Sequence, residues 1–248
     1  DGGPTDFEQG LADALAEGGA RAAQRICELC VRALPVTGAA ITTMTGADHQ
    51  NPVCATDEVA ARIDELQFRL AEGPCVEAFI SRTPVLVHDI TDGVHEKWPV
   101  FATAASRETV ARGMYVFPLL GGPISIGVLD FYRDRPVVFG PDDLARALRA
   151  SDAAFWAVLD LRPGATLDPT GAPTARRESG VDVEGWLADV PLERPEVYQA
   201  TGMIIAQLGV APDVALATLR AHAFVHDRPI DAVARDVVAR TLRFAEER

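Results

Sequence analysis

The sequence predicts an α+β domain with a central antiparallel sheet and flanking helices, followed by an all-α bundle of three helices. Three observations carry this. Strand-like runs fill the middle of residues 20–162 while helical patterns occupy both ends. Apolar residues recur at helical spacing in three short blocks within the last fifty residues. Between the two lies RPGATLDPTGAPTARRESG (162–180), rich in Pro, Gly, Thr and Ala and without apolar periodicity, which reads as a linker. The expected divisions are an N-terminal arm (1–19), a sheet domain (20–162), a flexible linker (163–185) and a helical domain (186–248).

In order, the arm carries Phe7, Leu11 and Leu15 at helical spacing, and Ile26, Leu29, Cys30 and Ala33 give an amphipathic helix from Arg21 to Leu34 that stops before Pro35. A β-branched run from Gly38 to Thr45 predicts a strand that turns at Gly46-Ala47-Asp48, with a short partner around Pro52–Ala55. Thr56 or Asp57 caps a helix to Phe68 with Val59, Ile63 and Leu66 inward. Glu72-Gly73-Pro74 forms a tight turn, Cys75–Ile80 a helical turn and Pro84–His88 a strand. Lys97–Ser106 is a short helix with Trp98 and Phe101 inward. Met114–Leu120 and Ile124–Tyr132 meet at a glycine-proline turn as the central hairpin, and Gly140-Pro141-Asp142 opens a helix running to about Leu161.

Past the linker, Val183, Trp186 and Leu187 suit a short helix docked on the bundle. The bundle itself is written by Val197, Ala200, Ile204 and Leu208, then Leu216, Leu219 and Ala223, then Ile230, Val233 and Val237. Each block has a proline in its first turn (Pro195, Pro212, Pro229), and Gly209 stands where the first helix needs a left-handed cap. Gly202 lies inside that helix at a cost of roughly 0.5 to 1 kcal/mol against alanine. The compensation expected is close approach of another helix, with Ala200, Ala217, Ala223 and Ala234 suiting the same tight crossing.

The net charge of −13 by itself disfavours nucleic-acid binding. Its distribution changes that reading: residues 194–248 hold 7 Lys+Arg against 7 Asp+Glu, leaving 16 against 29 in residues 1–193. A neutral bundle implies modest, salt-sensitive affinity for RNA. No secretory signal is visible, and the long uncharged run 113–129 is broken by Pro118 and by Gly121-Gly122-Pro123, so it reads as a hairpin and not a membrane span. A cytoplasmic protein is expected.

Two resemblances sharpen these readings. The pattern A-T-G-M-I (Ala200–Ile204), A-L-x-x-L-R-A-x-A (Ala215–Ala223) and D-A-V-A-x-D-V-V (Asp231–Val238) resembles the ANTAR domain, a bacterial three-helix module that binds RNA hairpins and prevents transcription termination. Ala200, Gly202 and Ile204 match the family's first-helix core, and Leu219-Arg220 its second-helix pair; Thr201 stands where many members have lysine. The resemblance implies RNA contacts from Thr201, Arg220, His222, Arg228, Arg235, Arg240 and Arg243, with His226 as a further candidate that, like His222, becomes cationic below about pH 6.5. The set L-Q-x-x-L-x-E-G-P-C-x-x-A (Leu66–Ala78), Asp89, Trp98-Pro99, Phe117-Pro118-Leu119 and Ile126–Asp130 is similar to a GAF domain of the kind that precedes ANTAR in actinobacterial regulators. That implies a sensory pocket between the sheet and its overlying helices, with Cys75, Phe79, Trp98, Phe117 and Leu129 as lining candidates. It also implies homodimerisation through the helices 21–34 and 141–161.

Four cysteines complete the inventory. Cys27-x-x-Cys30 with His49 and Cys54 is a conceivable zinc set, although a helix with apolar neighbours favours buried, reduced thiols. Cys75 resembles a cysteine of the GAF-type free methionine-sulfoxide reductases, but no second cysteine lies between Lys97 and Phe117 to resolve a disulfide. His88-Asp89 and His95-Glu96 suggest no more than surface pairs, so no catalytic site, metal or cofactor is expected. The function expected is a signal-responsive regulator that binds a dual-hairpin RNA and prevents termination. The alternatives are a small-molecule sensor signalling to a protein partner and, more weakly, a thiol reductase.

Overall fold

The computed structural model describes residues 4–47, 49–92, 97–122, 124–161 and 194–244. The expected docking of Val183, Trp186 and Leu187, and the His95-Glu96 pair, lie outside them. The chain divides into two compact units, 1–191 and 192–248.

In the first unit five strands form one antiparallel sheet: β1 (Gly38–Gly46), β2 (His49–Ala55), β3 (Val85–Val87), β4 (Gly113–Gly121) and β5 (Ile124–Arg133), in the order β2-β1-β5-β4-β3. The predicted hairpin β4-β5 supplies the middle. Pro52 has no N–H to give to a ladder, and it sits in the edge strand β2 opposite Thr42, where a bulge between Ile41 and Thr42 absorbs it. Helices cover both faces, so the central strands β4 and β5 read as nearly continuous apolar runs.

On one face α1 (Pro4–Glu17), α2 (Gly19–Ala33) and α6 (Pro141–Leu159) bury Phe7, Leu11, Ile26, Cys27, Cys30, Ala154 and Val158 against Ile41, Tyr115, Phe117, Leu129 and Phe131. The first segment, expected as a short arm or helix, is therefore a helix with its own buried face. On the other face α3 (Glu58–Leu70), α4 (Pro74–Ser81) and α5 (Pro99–Glu108) bury Ile63, Leu66, Cys75, Trp98 and Phe101 against Met114, Val116 and Val128. Asp57 caps α3 by accepting the Ala60 N–H at 2.8 Å, satisfying one of the donors that a helix start leaves unpaired.

Among its described residues the second unit is three short helices, α7 (Pro195–Leu208), α8 (Pro212–Val225) and α9 (Ile230–Val238). Its interior is Val197, Ala200, Ile204, Leu216, Leu219, Ala223, Ile230, Val233, Ala234 and Val237, as the helical spacing predicts, whereas Leu208, expected on the same stripe, is only half-buried. Gly209 ends α7 at φ 66°, a left-handed cap that glycine adopts without steric cost. Pro195 and Pro212 open α7 and α8, whereas Pro229 is the residue before α9.

Two expectations fail here. Gly202 is exposed, and a Cβ built on it meets nothing within 4 Å, so among the described residues no helix approaches it. Ala217 is exposed as well and takes no part in a crossing. Among the described residues no single helix is long and apolar enough to cross a membrane; α7 and α8 together reach that length but are bent by 108°.

Candidate ligand pocket and candidate RNA surface

The Glu72-Gly73-Pro74-Cys75 turn ties α3, α4 and α5 together. Gly73 has a φ of 140°, a region that favours glycine. A Cβ there would lie 2.7 Å from Gln67 Oε1. That oxygen instead accepts the backbone N–H of Cys75 at 2.8 Å. Glu72 Oε1 accepts the N–H groups of Val100 and Phe101 at 2.9 and 3.0 Å, placing a carboxylate on the orphan donors at the α5 N-terminus. The motif is thus a three-helix junction built from one side-chain amide, one carboxylate and one glycine.

Beneath the junction lies a buried polar cluster. Thr42 Oγ1 donates to Asp64 Oδ1 at 2.6 Å, and Gln67 Nε2 donates to Asp130 Oδ2 at 3.3 Å. Gln50 Oε1 lies 4.0 Å from the Cys75 thiol. All six residues are buried. The other carboxyl oxygen of Asp130, Oδ1, has no hydrogen-bond partner among the described residues. Burial, followed by the charge of Asp64, pushes the Asp130 carboxyl up to about 8, so it holds a proton at neutral pH. Burial, followed by the charges of Asp130 and Asp64, also pushes the Cys75 thiol up. A fully buried thiol held in its neutral form is a poor nucleophile, which disfavours the reductase alternative.

The five predicted pocket residues do not converge. Cys75, Trp98 and Phe79 pack on the α3–α5 side of the sheet, but Phe117 and Leu129 point to the opposite face, into the core with α2 and α6. The reason is strand alternation: odd positions of β4 face α2 and α6, while Met114 and Val116 face α3–α5. The void between α3 and the sheet, lined by Ala40, Ala60, Ile63, Met114, Asp130, Phe131 and Tyr132, measures only ≈ 10 Å³. A wider groove of ≈ 560 Å³ runs along the edge strand β3, between Glu77, Leu86, Asp89, Lys97 and Trp98. The residues missed by sequence reasoning were Thr42, Gln50, Asp64, Gln67 and Asp130. For Thr42 and Asp130 the signal was a polar residue inside an apolar strand, and for Asp64 and Gln67 one on the apolar face of a helix; Gln50, in the polar start of β2, had none.

The predicted RNA residues also divide. Thr201 is buried and its hydroxyl donates to Val197 O, one turn back along α7, at 2.8 Å. Arg220 is 7% exposed, held within the bundle instead of offered to solvent. His222, Arg228, Arg235, Arg240 and Arg243 reach the surface. Contacts join several of them at one end of the bundle. His222 stacks on His226 at 4.0 Å between ring centroids and meets Phe244 edge-on at 5.4 Å. Arg228 pairs with Asp236 at 2.7 Å, and the backbone of Asp236 accepts the N–H groups of Thr241 and Leu242. Gln207 Oε1 accepts the Phe244 N–H at 2.9 Å, fixing the segment that carries Arg240 and Arg243. Burial, then the neighbouring His226 and Arg228, lowers the His222 pKa, so its ring is neutral at pH 7 and offers stacking more than charge. A second exposed surface is apolar: Val214, Ala217, Ala221, Phe224 and Val225 face out along α8.

Among the described residues no group of three or more His, Cys, Asp or Glu side chains could hold a metal ion. Asp89, beside His88, is instead gripped by Arg112 through both Nε, at 3.0 Å, and Nη2. That charge-assisted pair holds its carboxyl down at about 2.

Comparison with known proteins gives a family for each unit. The family model described as GAF domain matches residues 20–160, and the model described as ANTAR domain matches residues 191–238. Several solved structures are similar. The GAF domain of an Acinetobacter phosphoenolpyruvate-protein phosphotransferase is 10% identical over 62% of this chain and 91% of its own, with a TM-score of 0.49. A GAF domain of the same kind from Coxiella burnetii is 12% identical over 62% and 93%, TM-score 0.48, and the free methionine-R-sulfoxide reductase of Neisseria meningitidis is 15% identical over 63% and 90%, TM-score 0.46. No curated protein matches. With its first unit folded as a five-stranded antiparallel sheet between two helical layers and its last three helices matched in order, the chain belongs to the GAF domain family and is a GAF and ANTAR domain-containing regulator.

Proposed function

We propose that the bundle binds a dual-hairpin RNA and so prevents a competing terminator from forming, and that the sheet domain governs this binding in response to a signal. The observation that carries the proposal is the end of the bundle where His222, His226 and Phe244 sit together, with Arg228 close to His222 and the exposed Arg240 and Arg243 in the segment that leads to Phe244. Arginines would meet phosphates there, and the exposed His226 and half-buried His222 and Phe244 rings would stack on unpaired loop bases, since A-form stems hide their base edges and loops display them. Arg235 on the exposed side of α9 adds a further phosphate contact. Thr201 and Arg220 act from inside, shaping the bundle instead of touching RNA.

The test is binding of the full chain to a paired-hairpin RNA with small loops at two salt concentrations, beside Arg235→Ala and an Arg240→Ala/Arg243→Ala double variant. Each phosphate contact removed should weaken binding severalfold and reduce the salt slope by about one. Unchanged affinity and slope in both variants would refute the surface. Control by the sheet domain is tested by comparing the full chain with residues 181–248, and equal affinities would argue against it.

A second reading, signalling to a protein partner, is favoured by the apolar surface of α8, where Phe224 is 55% and Val225 74% exposed. Absence of RNA binding by both the full chain and the isolated bundle would move the search to such a partner.

A further inference from the structure

Cys27 and Cys54 lie 27 residues apart in sequence, yet their sulfurs are 3.5 Å apart. One is on α2, the other on the edge strand β2. Cys27 is fully enclosed by the helical layer, whereas Cys54 is partly open to solvent near the end of an edge strand that pairs on one side only. The remaining two cysteines are placed differently. Cys30 is buried one turn further along α2, and Cys75 lies across the sheet in the other core. One thiol pair is therefore in contact, with one member accessible and the other sheltered.

We propose that Cys27 and Cys54 are a redox-modification site, a thiol pair that a peroxide converts to an intramolecular disulfide fastening α2 to β2. The accessible sulfur reacts first: the Cys54 thiolate attacks a peroxide oxygen, an S–O bond forms, the O–O bond breaks, and with hydrogen peroxide the leaving hydroxide departs as water. Cys54 is then a sulfenic acid. The Cys27 sulfur attacks the Cys54 sulfur, the S–S bond forms, the S–O bond breaks, and the leaving hydroxide takes the Cys27 proton as a second water. The two sulfurs together lose two electrons and one peroxide is reduced to two waters. The hydrogen bond to Cys54, then burial, pushes the Cys27 thiol well up, so it is protonated and closed to peroxide from solvent; unlike Cys75 in the other core, it lies against the sulfur it attacks, and the hydroxide released at Cys54 takes its proton as the S–S bond forms. Closing the bond needs the sulfurs to approach by about 1.5 Å from the present contact, a movement within reach of an edge strand.

The experiment treats the full chain with hydrogen peroxide, counts thiols in denaturant and maps linked peptides. The thiol count should fall from four to two, with Cys27 joined to Cys54, and return to four with dithiothreitol. Cys30→Ser should still form the bond, losing two of its three thiols. Cys27→Ser should leave a sulfenic acid on Cys54 that a dimedone probe labels, and Cys54→Ser should form no crosslink. Mapping on the native chain keeps the test independent of how the variants fold. A different pairing, a crosslink between two chains, a sulfinic acid on Cys54 without a crosslink, or four intact thiols under peroxide that oxidises glutathione would each overturn the proposal.

Discussion

Replacing Asp130 by asparagine should remove most of the pH dependence of the sheet domain between pH 5 and 8. In the folded protein its carboxyl is raised from 3.8 to about 8 by burial and by Asp64. The folded state therefore keeps a proton that the unfolded chain loses. Stability attached to this group is fully present below about pH 4 and is lost as pH rises toward 8. At about 1.36 kcal/mol per pH unit, a shift of this size is worth on the order of 5 kcal/mol across the window, a large part of a domain's usual total of roughly 5–15 kcal/mol. Asparagine has the same shape, and its oxygen can still accept the Gln67 amide that now lies 3.3 Å from Oδ2. The assay is urea unfolding of the full chain at pH 5, 6, 7 and 8, followed by tryptophan fluorescence, to which Trp98 and Trp156 contribute from within the domain. The native protein should lose about 1 kcal/mol per unit, and the variant should be nearly flat and the more stable of the two at pH 8. Asp89, held down at about 2 by Arg112, titrates below this window, and the raised Cys75 thiol titrates above it. If Asp130→Asn and the native protein decline in parallel, Asp130 is not the protonated group.

Gly202→Ala should stabilise the bundle by about 0.5 to 1 kcal/mol through helix propensity, because the added methyl meets no atom within 4 Å; thermal unfolding of residues 192–248 reads this as a rise of several degrees. A variant that is more stable yet binds RNA less well would show that RNA seats on that side of α7. Glu72→Gln should cost about 1 kcal/mol by removing the charge that caps Val100 and Phe101 at the α5 N-terminus, whereas a cost near zero in urea unfolding would mean water satisfies those donors as well.

Much of the fold was legible because its helices are amphipathic and its turns carry specific residues. The positions chosen for the bundle interior are its interior, except Leu208, which is half-buried at the end of α7, and Gly209 takes the left-handed cap for which its sequence position argued. The errors have identifiable causes. Phe117 and Leu129 went to the wrong face because β4 and β5 are covered on both sides and carry no polar alternation to mark parity. Asp130 and Thr42 do mark the α3–α5 side, but the equally buried Thr43 next to Thr42 has the opposite parity, so the polar positions make no alternation. In the bundle the helical spacing already held the answer. Thr201 follows Val197 by four residues and Arg220 follows Leu216 by four, so both stand on the buried stripe. Gly202 is two residues past Ala200, just over half a turn around the helix, and so faces away from it.

The packing around Asp130 constrains any sensing at that place. The void there, ≈ 10 Å³, is tight. It is about the volume that one water needs, and far below the size of a small-molecule site. A ligand can enter only if α3 or α4 moves away from the sheet, and the same motion would strain the hydrogen bonds of Gln67 to Cys75 and Asp130 and of Thr42 to Asp64. Because Glu72 in the adjoining turn caps α5, displacement of α4 is passed to α5 as well. Binding at this point would therefore be read as rearrangement of three helices at once. The E-G-P-C turn is the joint through which it would travel, since its hydrogen bonds link α3, α4 and α5.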